Sequence, residues 1–359
     1  MEAMMSNEMK WAKNVRKVTP YVPGEQPKQT NIIKLNTNEN PYPPSPKVFD
    51  EHGKVNVSRF SLYPDPSASL LVEALAKYHG IGADQVFTGV GSDDVLALAF
   101  LTFFNSDTPI LFPDITYSFY PVWAEVYQIP YECPPLQEDF TINVNDYKKK
   151  NGGVVIANPN APTSIALGVS QVEEIIAANP EVVVIIDEAY VDFGGESVLP
   201  LIDKYDNLLV VRTYSKSRSM AGMRIGYAMG NPALIQAMKD VKESINSYTM
   251  NTESILIGAA SLEDEEYFRE NIKKVMDTRA KTKNELEKIG FDVKESCTNF
   301  LFAGHKEVPA KEIFEKLRAK GIFVRYFDKP RINNYLRITI GTEEQMECFL
   351  KEVKEILAQ

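Results

Sequence analysis

From Ser67 onward the chain alternates two hydrophobic periods, and this alternation restricts the fold more than any other feature of its 359 residues. Leu71, Ala74, Leu75 and Tyr78 recur at helical spacing, Gln85 to Val90 reads as a short strand, and a helix begins near Ser92. Apolar runs bounded by turn residues return at Pro109 to Phe112, Val154 to Ala157, Val182 to Ile186, Leu208 to Val211 and Ile225 to Met229, with helical patterns between most of them. Strands that are apolar on both faces need cover on both faces. The pattern therefore predicts an α/β fold built on a mostly parallel sheet.

The flanking segments read differently. Residues 19 to 66 are rich in proline, from Pro20 to Pro66, and predict an extended, turn-rich arm. After Ser261 a charged helix is expected from Asp264 to Ile289. It is followed by Phe300 to Phe302, a helix from Pro309 to Lys320, strands at Ile322 to Phe327 and Tyr335 to Ile340, and a last helix. Met346, Phe349, Leu350, Val353 and Ile356 give that helix one apolar stripe for core packing. Three divisions are expected: an arm over residues 1–36, a large domain over 37–261 and a smaller α/β domain over 262–359.

Charge and ligand chemistry narrow the function. Lys and Arg number 39 against 49 Asp and Glu, a net charge of −10, which disfavours nucleic acid as the main partner. Cys133, Cys297 and Cys348 are far apart and form no CxxC pair, and His52, His79 and His305 are also scattered, so no metal site is expected. The N-terminus lacks an apolar signal core, and the run Val95 to Phe104 is about half a membrane span. A cytoplasmic protein without membrane attachment is expected.

Three segments carry chemistry. Thr88-Gly89-Val90-Gly91-Ser92-Asp93-Asp94 places glycines between a strand and a helix, whose free N–H groups suit a phosphate, although the turn alone is an ordinary capped one. Val182 to Tyr190 delivers Asp187 at the carboxyl end of an apolar strand, where open α/β sheets bind ligands. No GxxxxGK[ST] loop accompanies it, so a nucleotide hydrolase is not indicated. Arg212-Thr213-Tyr214-Ser215-Lys216-Ser217, with Arg224 eight residues beyond the lysine, supplies hydroxyls, an imine-forming amine and a cation. Together these suit pyridoxal 5′-phosphate: Asp187 would pair with its ring nitrogen and Lys216 would hold its aldehyde.

The sequence resembles the fold-type I pyridoxal-phosphate-dependent aminotransferases over essentially its whole length. The matching landmarks are Leu35-Asn36-Thr37-Asn38-Glu39-Asn40-Pro41, Tyr63-Pro64-Asp65, Asp187-Glu188-Ala189-Tyr190, Ser215-Lys216 with Arg224, and Leu336-Arg337-Ile338-Thr339-Ile340-Gly341-Thr342. The resemblance implies that Ser92 and Asp93 lie at the cofactor phosphate with Thr213, Ser215 and Arg224, that Tyr117 stacks on the ring and that Tyr190 meets its phenolic oxygen. It implies that Tyr63 crosses a two-fold axis to the phosphate of a second chain, giving a homodimer.

For substrates the resemblance implies glutamate and imidazole-acetol phosphate, with Tyr21, Asn40, Tyr63, Arg325 and Arg337 contacting them. A threonine-phosphate decarboxylase or an aromatic aminotransferase would use the same Lys216, Asp187 and Arg337. Lys329 and Arg331 receive no role. One departure stands out. Where the family commonly reads Asn-Asn-Pro-Thr-Gly, this chain has Asn160-Ala161-Pro162-Thr163-Ser164, so a donor to the phenolic oxygen is missing at Ala161 and Asn160 is the available substitute.

Overall fold

A computed structural model describes residues 31–50 and 60–358, together with 19, 20, 25, 27 and 29. In chain order the elements are β1 (Ile33–Lys34), α1 (Lys47–Asp50), α2 (Ser69–His79), β2 (Val86–Gly89), α3 (Ser92–Phe103), β3 (Ile110–Leu111), α4 (Tyr120–Tyr127), β4 (Tyr131–Glu132), β5 (Val154–Ala157), α5 (Val169–Ala178), β6 (Val184–Asp187), β7 (Leu208–Thr213) and β8 (Gly226–Gly230). Then come α6 (Pro232–Ile245), α7 (Thr252–Ala260), α8 (Glu265–Lys288), β9 (Phe291–Val293), β10 (Phe300–His305), α9 (Ala310–Ala319), β11 (Ile322–Phe323), β12 (Arg325–Tyr326), β13 (Leu336–Thr339) and α10 (Glu343–Leu357).

Seven strands form one sheet in the order β2-β8-β7-β6-β5-β3-β4. Only β8 runs against its neighbours; the other pairings are parallel. Every residue of β5, β6 and β7 is buried, because helices cover both faces. The register places Ala157 opposite Asp187 and Asp187 opposite Val211, so three parallel strands end together at one edge. That edge is where the site lies.

A four-stranded antiparallel sheet, β12-β13-β10-β9, packs with α8, α9 and α10 around a second core containing Leu301, Ile313, Ile338 and Phe349. The cap of α10 explains its sharp start. Thr342 Oγ1 accepts from Gln345 N, while Gln345 Oε1 accepts from Thr342 N. From the arm, β1 pairs in parallel with β11 and Leu35 is buried in this second core.

Several elements differ from the sequence expectation. The apolar stretch Ile322 to Phe327 is two strands because Val324 separates a segment paired with β1 from one paired with β13. Strands β4 and β9 were not expected. With two and three residues they are too short for a period, and both residues of β4 are exposed. Among the described residues, no helix is long and apolar enough to cross a membrane.

Candidate active site

Asp187 ends β6 and is 5% exposed. Tyr120 Oη donates to its Oδ2 at 2.9 Å and Ala189 N to its Oδ1 at 3.1 Å. Burial pushes this carboxyl up to about 6, and among the described residues no ion pair engages it. Strand alternation turns the next residue the other way. Glu188 faces the interior, where Arg212 meets it at 2.8 Å and Val198 N donates to it at 2.7 Å. Sequence reading missed Tyr120, a tyrosine at the start of α4 whose partner is 67 residues away.

Lys216 follows β7 in a tight turn held from two sides. Asn40 Nδ2 donates to the carbonyls of Lys216 and Ser217 at 3.3 and 3.2 Å, and Ser217 Oγ donates to Asp192 at 2.5 Å. The lysine amine donates to Thr37 O at 3.2 Å and lies 5.8 Å from the Tyr190 ring centroid.

The third part of the site is the turn before α3. Gly91 has φ +88° and a Cβ there would lie 2.5 Å from Arg224 Nη2; a Cβ on Gly226 would meet the Gly91 carbonyl carbon at 2.2 Å. Two strands and a basic side chain thus converge on the helix N-terminus at Ser92 because two glycines lack side chains. Arg224 Nη1 donates to Ser215 Oγ at 3.4 Å and Nη2 lies 3.5 Å from Asp93 Oδ2, whose partner oxygen accepts from Tyr117 Oη at 2.7 Å. Thr213 Oγ1 accepts from Ser215 N at 3.1 Å.

Asp187, Tyr190, Lys216, Thr213, Ser215, Arg224, Ser92, Asp93 and Tyr117 all line one cavity of about 140 Å³. It adjoins a larger one of about 820 Å³, and Asp93, Tyr117, Ala161, Tyr190, Lys216 and Arg224 line both. The chemistry of the smaller cavity fits pyridoxal 5′-phosphate. A buried carboxylate without an ion-pair partner suits a protonated ring nitrogen, and the helix N-terminus with Ser215 and Arg224 suits a phosphate.

Two expectations are corrected here. Asn160 is turned away from both cavities, and its carboxamide is spent elsewhere: Oδ1 accepts from Thr116 Oγ1 at 2.8 Å and Nδ2 donates to Ile115 O and Thr163 Oγ1 at 2.9 and 2.8 Å. It cannot stand in for the donor missing at Ala161. Asn40 likewise lines neither cavity, because its amide is committed to the Lys216 turn. Within one chain Tyr63 is 82% exposed, stacked on Tyr248 at 4.7 Å and outside both cavities. Tyr21 lies outside the described residues.

The larger cavity supplies the other end of the site. Arg325 on β12 and Arg337 on β13 are cross-strand partners, and both line it. Their guanidinium carbons lie 5.4 and 5.6 Å from the Phe327 ring centroid, and Arg337 Nη2 donates to Asn36 O at 3.0 Å. Lys329 and Arg331 line it too. Arg331 forms a 2.9 Å ion pair with Asp114 and donates to the carbonyls of Leu136 and Gln137 at 2.6 and 2.8 Å, tying the β12–β13 turn to the large sheet. Phe112, Tyr117 and Phe119 add an aromatic wall.

Residues 30–353 match the model of the aminotransferase class I and II family. The chain is 50% identical over 349 residues to the histidinol-phosphate aminotransferase of Lactococcus lactis subsp. cremoris strain MG1363, covering 97% of this chain and 98% of that protein. It is 52% identical over 350 residues to that of Acinetobacter baumannii strain AYE, covering 96% of each. The crystal structure of histidinol-phosphate aminotransferase from Sinorhizobium meliloti in complex with pyridoxal 5′-phosphate superposes with a TM-score of 0.83 at 22% identity, over 91% of both chains.

Proposed function

We propose that this chain, which belongs to the class I and II aminotransferase family, exchanges an amino group between glutamate and imidazole-acetol phosphate, giving 2-oxoglutarate and histidinol phosphate in histidine biosynthesis. The carrying observation is half identity to histidinol-phosphate aminotransferases over nearly the whole chain. The enzyme is a transaminase that uses pyridoxal 5′-phosphate. The paired arginines agree with it, since both substrates bring an anion to the same wall.

When bound, the cofactor supplies a carbonyl that captures amines and a ring that accepts electrons from the substrate carbon. Asp187 would keep a proton on the ring nitrogen, Tyr190 would meet the ring oxygen, Ser92, Asp93, Thr213, Ser215 and Arg224 would hold the phosphate, and Tyr117 would pack on the ring. Lys216 would hold the cofactor through its amine, which lines the same cavity. Once an incoming amine displaces it, the Lys216 amine would be free to act as the base at the donor Cα. Arg325 and Arg337 clamp the substrate anion in bidentate fashion.

The chain is read as an arm (1–36), a large domain (37–261) and a small domain (262–359), supported by the separate cores and the β1–β11 pairing. A homodimer is proposed, with Tyr63 reaching the cofactor phosphate and the substrate of the second copy. Exposed Phe60, Leu62, Tyr63, Ile245 and Tyr248 support such an interface. Tyr21 is proposed to meet the substrate phosphate. A cytoplasmic location is proposed, supported by three free thiols.

The test is glutamate formation from 2-oxoglutarate by purified protein with cofactor, across a donor panel of histidinol phosphate, phenylalanine, tyrosine and threonine phosphate. Histidinol phosphate is expected to lead by a wide margin. Preference for an aromatic donor, or release of CO2 from threonine phosphate, would replace the assignment.

A further inference from the structure

Tyr190 does not hold its hydroxyl direction alone. Asn38, 1% exposed, donates from Nδ2 to Tyr190 Oη at 2.9 Å. The orientation of that amide is set by Thr339 on β13. Thr339 Oγ1 accepts from the Asn38 backbone N–H at 3.1 Å and donates to Asn38 Oδ1 at 2.8 Å. With its oxygen engaged by Thr339, the amide presents its Nδ2 to Tyr190. The backbone of Asn38 is fixed as well: its carbonyl accepts from Asn299 Nδ2 at 3.0 Å, and its φ of 59° is a left-handed conformation that asparagine tolerates well. The preceding carbonyl, that of Thr37, is the one that receives Lys216 Nζ.

These contacts fix a proton direction. An oxygen that accepts from Asn38 leaves the hydroxyl's own hydrogen to point elsewhere, and the cavity beside Tyr190 is lined at position 161 by an alanine without a donor. We infer that Asn38 is a positioning residue, which turns the Tyr190 O–H toward the cofactor's ring oxygen and ties that orientation through Thr339 to the strand carrying Arg337. This inference rests on the pyridoxal-phosphate reading above.

The test is a pH titration of the visible absorbance of the lysine-bound cofactor in holoenzyme, with melting curves run alongside. Less donation to the ring oxygen leaves more negative charge there, which favours the proton on the neighbouring lysine-linked nitrogen and raises the midpoint. Asn38→Asp is nearly isosteric but attracts the Tyr190 hydrogen to itself, and the midpoint is expected to rise by about one pH unit or more. Asn38→Ala and Thr339→Val are expected to raise it by less, in that order, with Thr339→Val acting only by freeing the amide. An Asn38→Asp midpoint equal to wild type, in a protein that melts as a folded chain, overturns the inference. Wild-type protein that gains no visible absorbance with pyridoxal 5′-phosphate overturns the underlying reading instead, and this inference with it.

Discussion

Arg325 and Arg337 face each other across the antiparallel ladder of β12 and β13, with both guanidinium groups near the Phe327 ring. Like charges placed directly opposite on a sheet are unfavourable, so the pair is relieved when an anion comes between them. Replacing Arg337 by Ala is expected to lower kcat/KM for histidinol phosphate roughly 30- to 160-fold, the scale of a charged hydrogen bond of about 2–3 kcal/mol. Arg325→Ala should act in the same direction, and Lys at either position should restore part of the loss. Steady-state kinetics of the four variants decide it; unchanged KM values would remove the pair from the substrate site.

The buried Asp187 should make cofactor-free protein sensitive to pH. Its folded pKa of about 6 lies above its ordinary value of 3.8, so the folded chain holds this proton more tightly than the unfolded one. Its contribution to stability is fully present below about pH 4 and is lost as pH rises through about 6, a cost of about 3 kcal/mol above that range. Asp187→Asn is therefore expected to raise the melting temperature of the cofactor-free protein at pH 7.5 and to leave it nearly unchanged near pH 4. Adding pyridoxal 5′-phosphate should stabilise wild type more than the variant. Parallel melting curves at the two pH values would expose a wrong sign.

Lys216→Ala should abolish turnover and the visible absorbance that accompanies cofactor attachment. Asn40→Ala is a finer probe. It leaves the amine intact but frees the turn that Asn40 holds, and a loss of about 1 kcal/mol, roughly fivefold in kcat, is expected. Full activity in Lys216→Ala would be fatal to the assignment.

Gly226→Ala should weaken the cofactor site from outside it. The added methyl would meet the Gly91 backbone at 2.2 Å and Ser92 N at 2.3 Å, neither of which is a flexible side-chain end. Overpacking of this kind costs about 1–3 kcal/mol, and the displaced turn should also lower cofactor affinity. Fluorescence titration with pyridoxal 5′-phosphate and thermal melting measure the two effects separately.

Arg331 and Asp114 are each about one-third exposed, so their ion pair alone contributes at most about 1 kcal/mol. The two carbonyl bonds of Arg331 are separate from that pair. Arg331→Ala is thus expected to raise KM more than Asp114→Asn does, and to act more on KM than on melting temperature. Equal effects of the two variants would reduce the contact to its charges.

The residues of the cavity proposed for the cofactor are legible in the sequence because they sit at strand ends or just after them, where apolar runs stop and chemistry begins. Asp187, Ser215, Lys216 and Ser92 are all of this kind. The misses arise from distance. Asn38 and Thr339 are 301 residues apart, and nothing local to either marks the contact. Asn160 sits beside the vacant donor position in sequence, yet its amide donates to Ile115 O and Thr163 Oγ1. Arg331 receives no role from the sequence because its partners, Asp114, Leu136 and Gln137, belong to the other sheet's loops.

Arg337 and Thr339 are two residues apart on β13 and so share a face, while Leu336 and Ile338 fill the core behind them. A slip of one residue would exchange the two faces at once, removing the proposed anion ligand and the partner of Asn38 together and exposing two core side chains. This strand is therefore a poor place for gradual change. A related enzyme that acquires a new amino donor has more freedom at half-buried Phe119 and exposed Lys329, which line the larger cavity and can be altered one at a time.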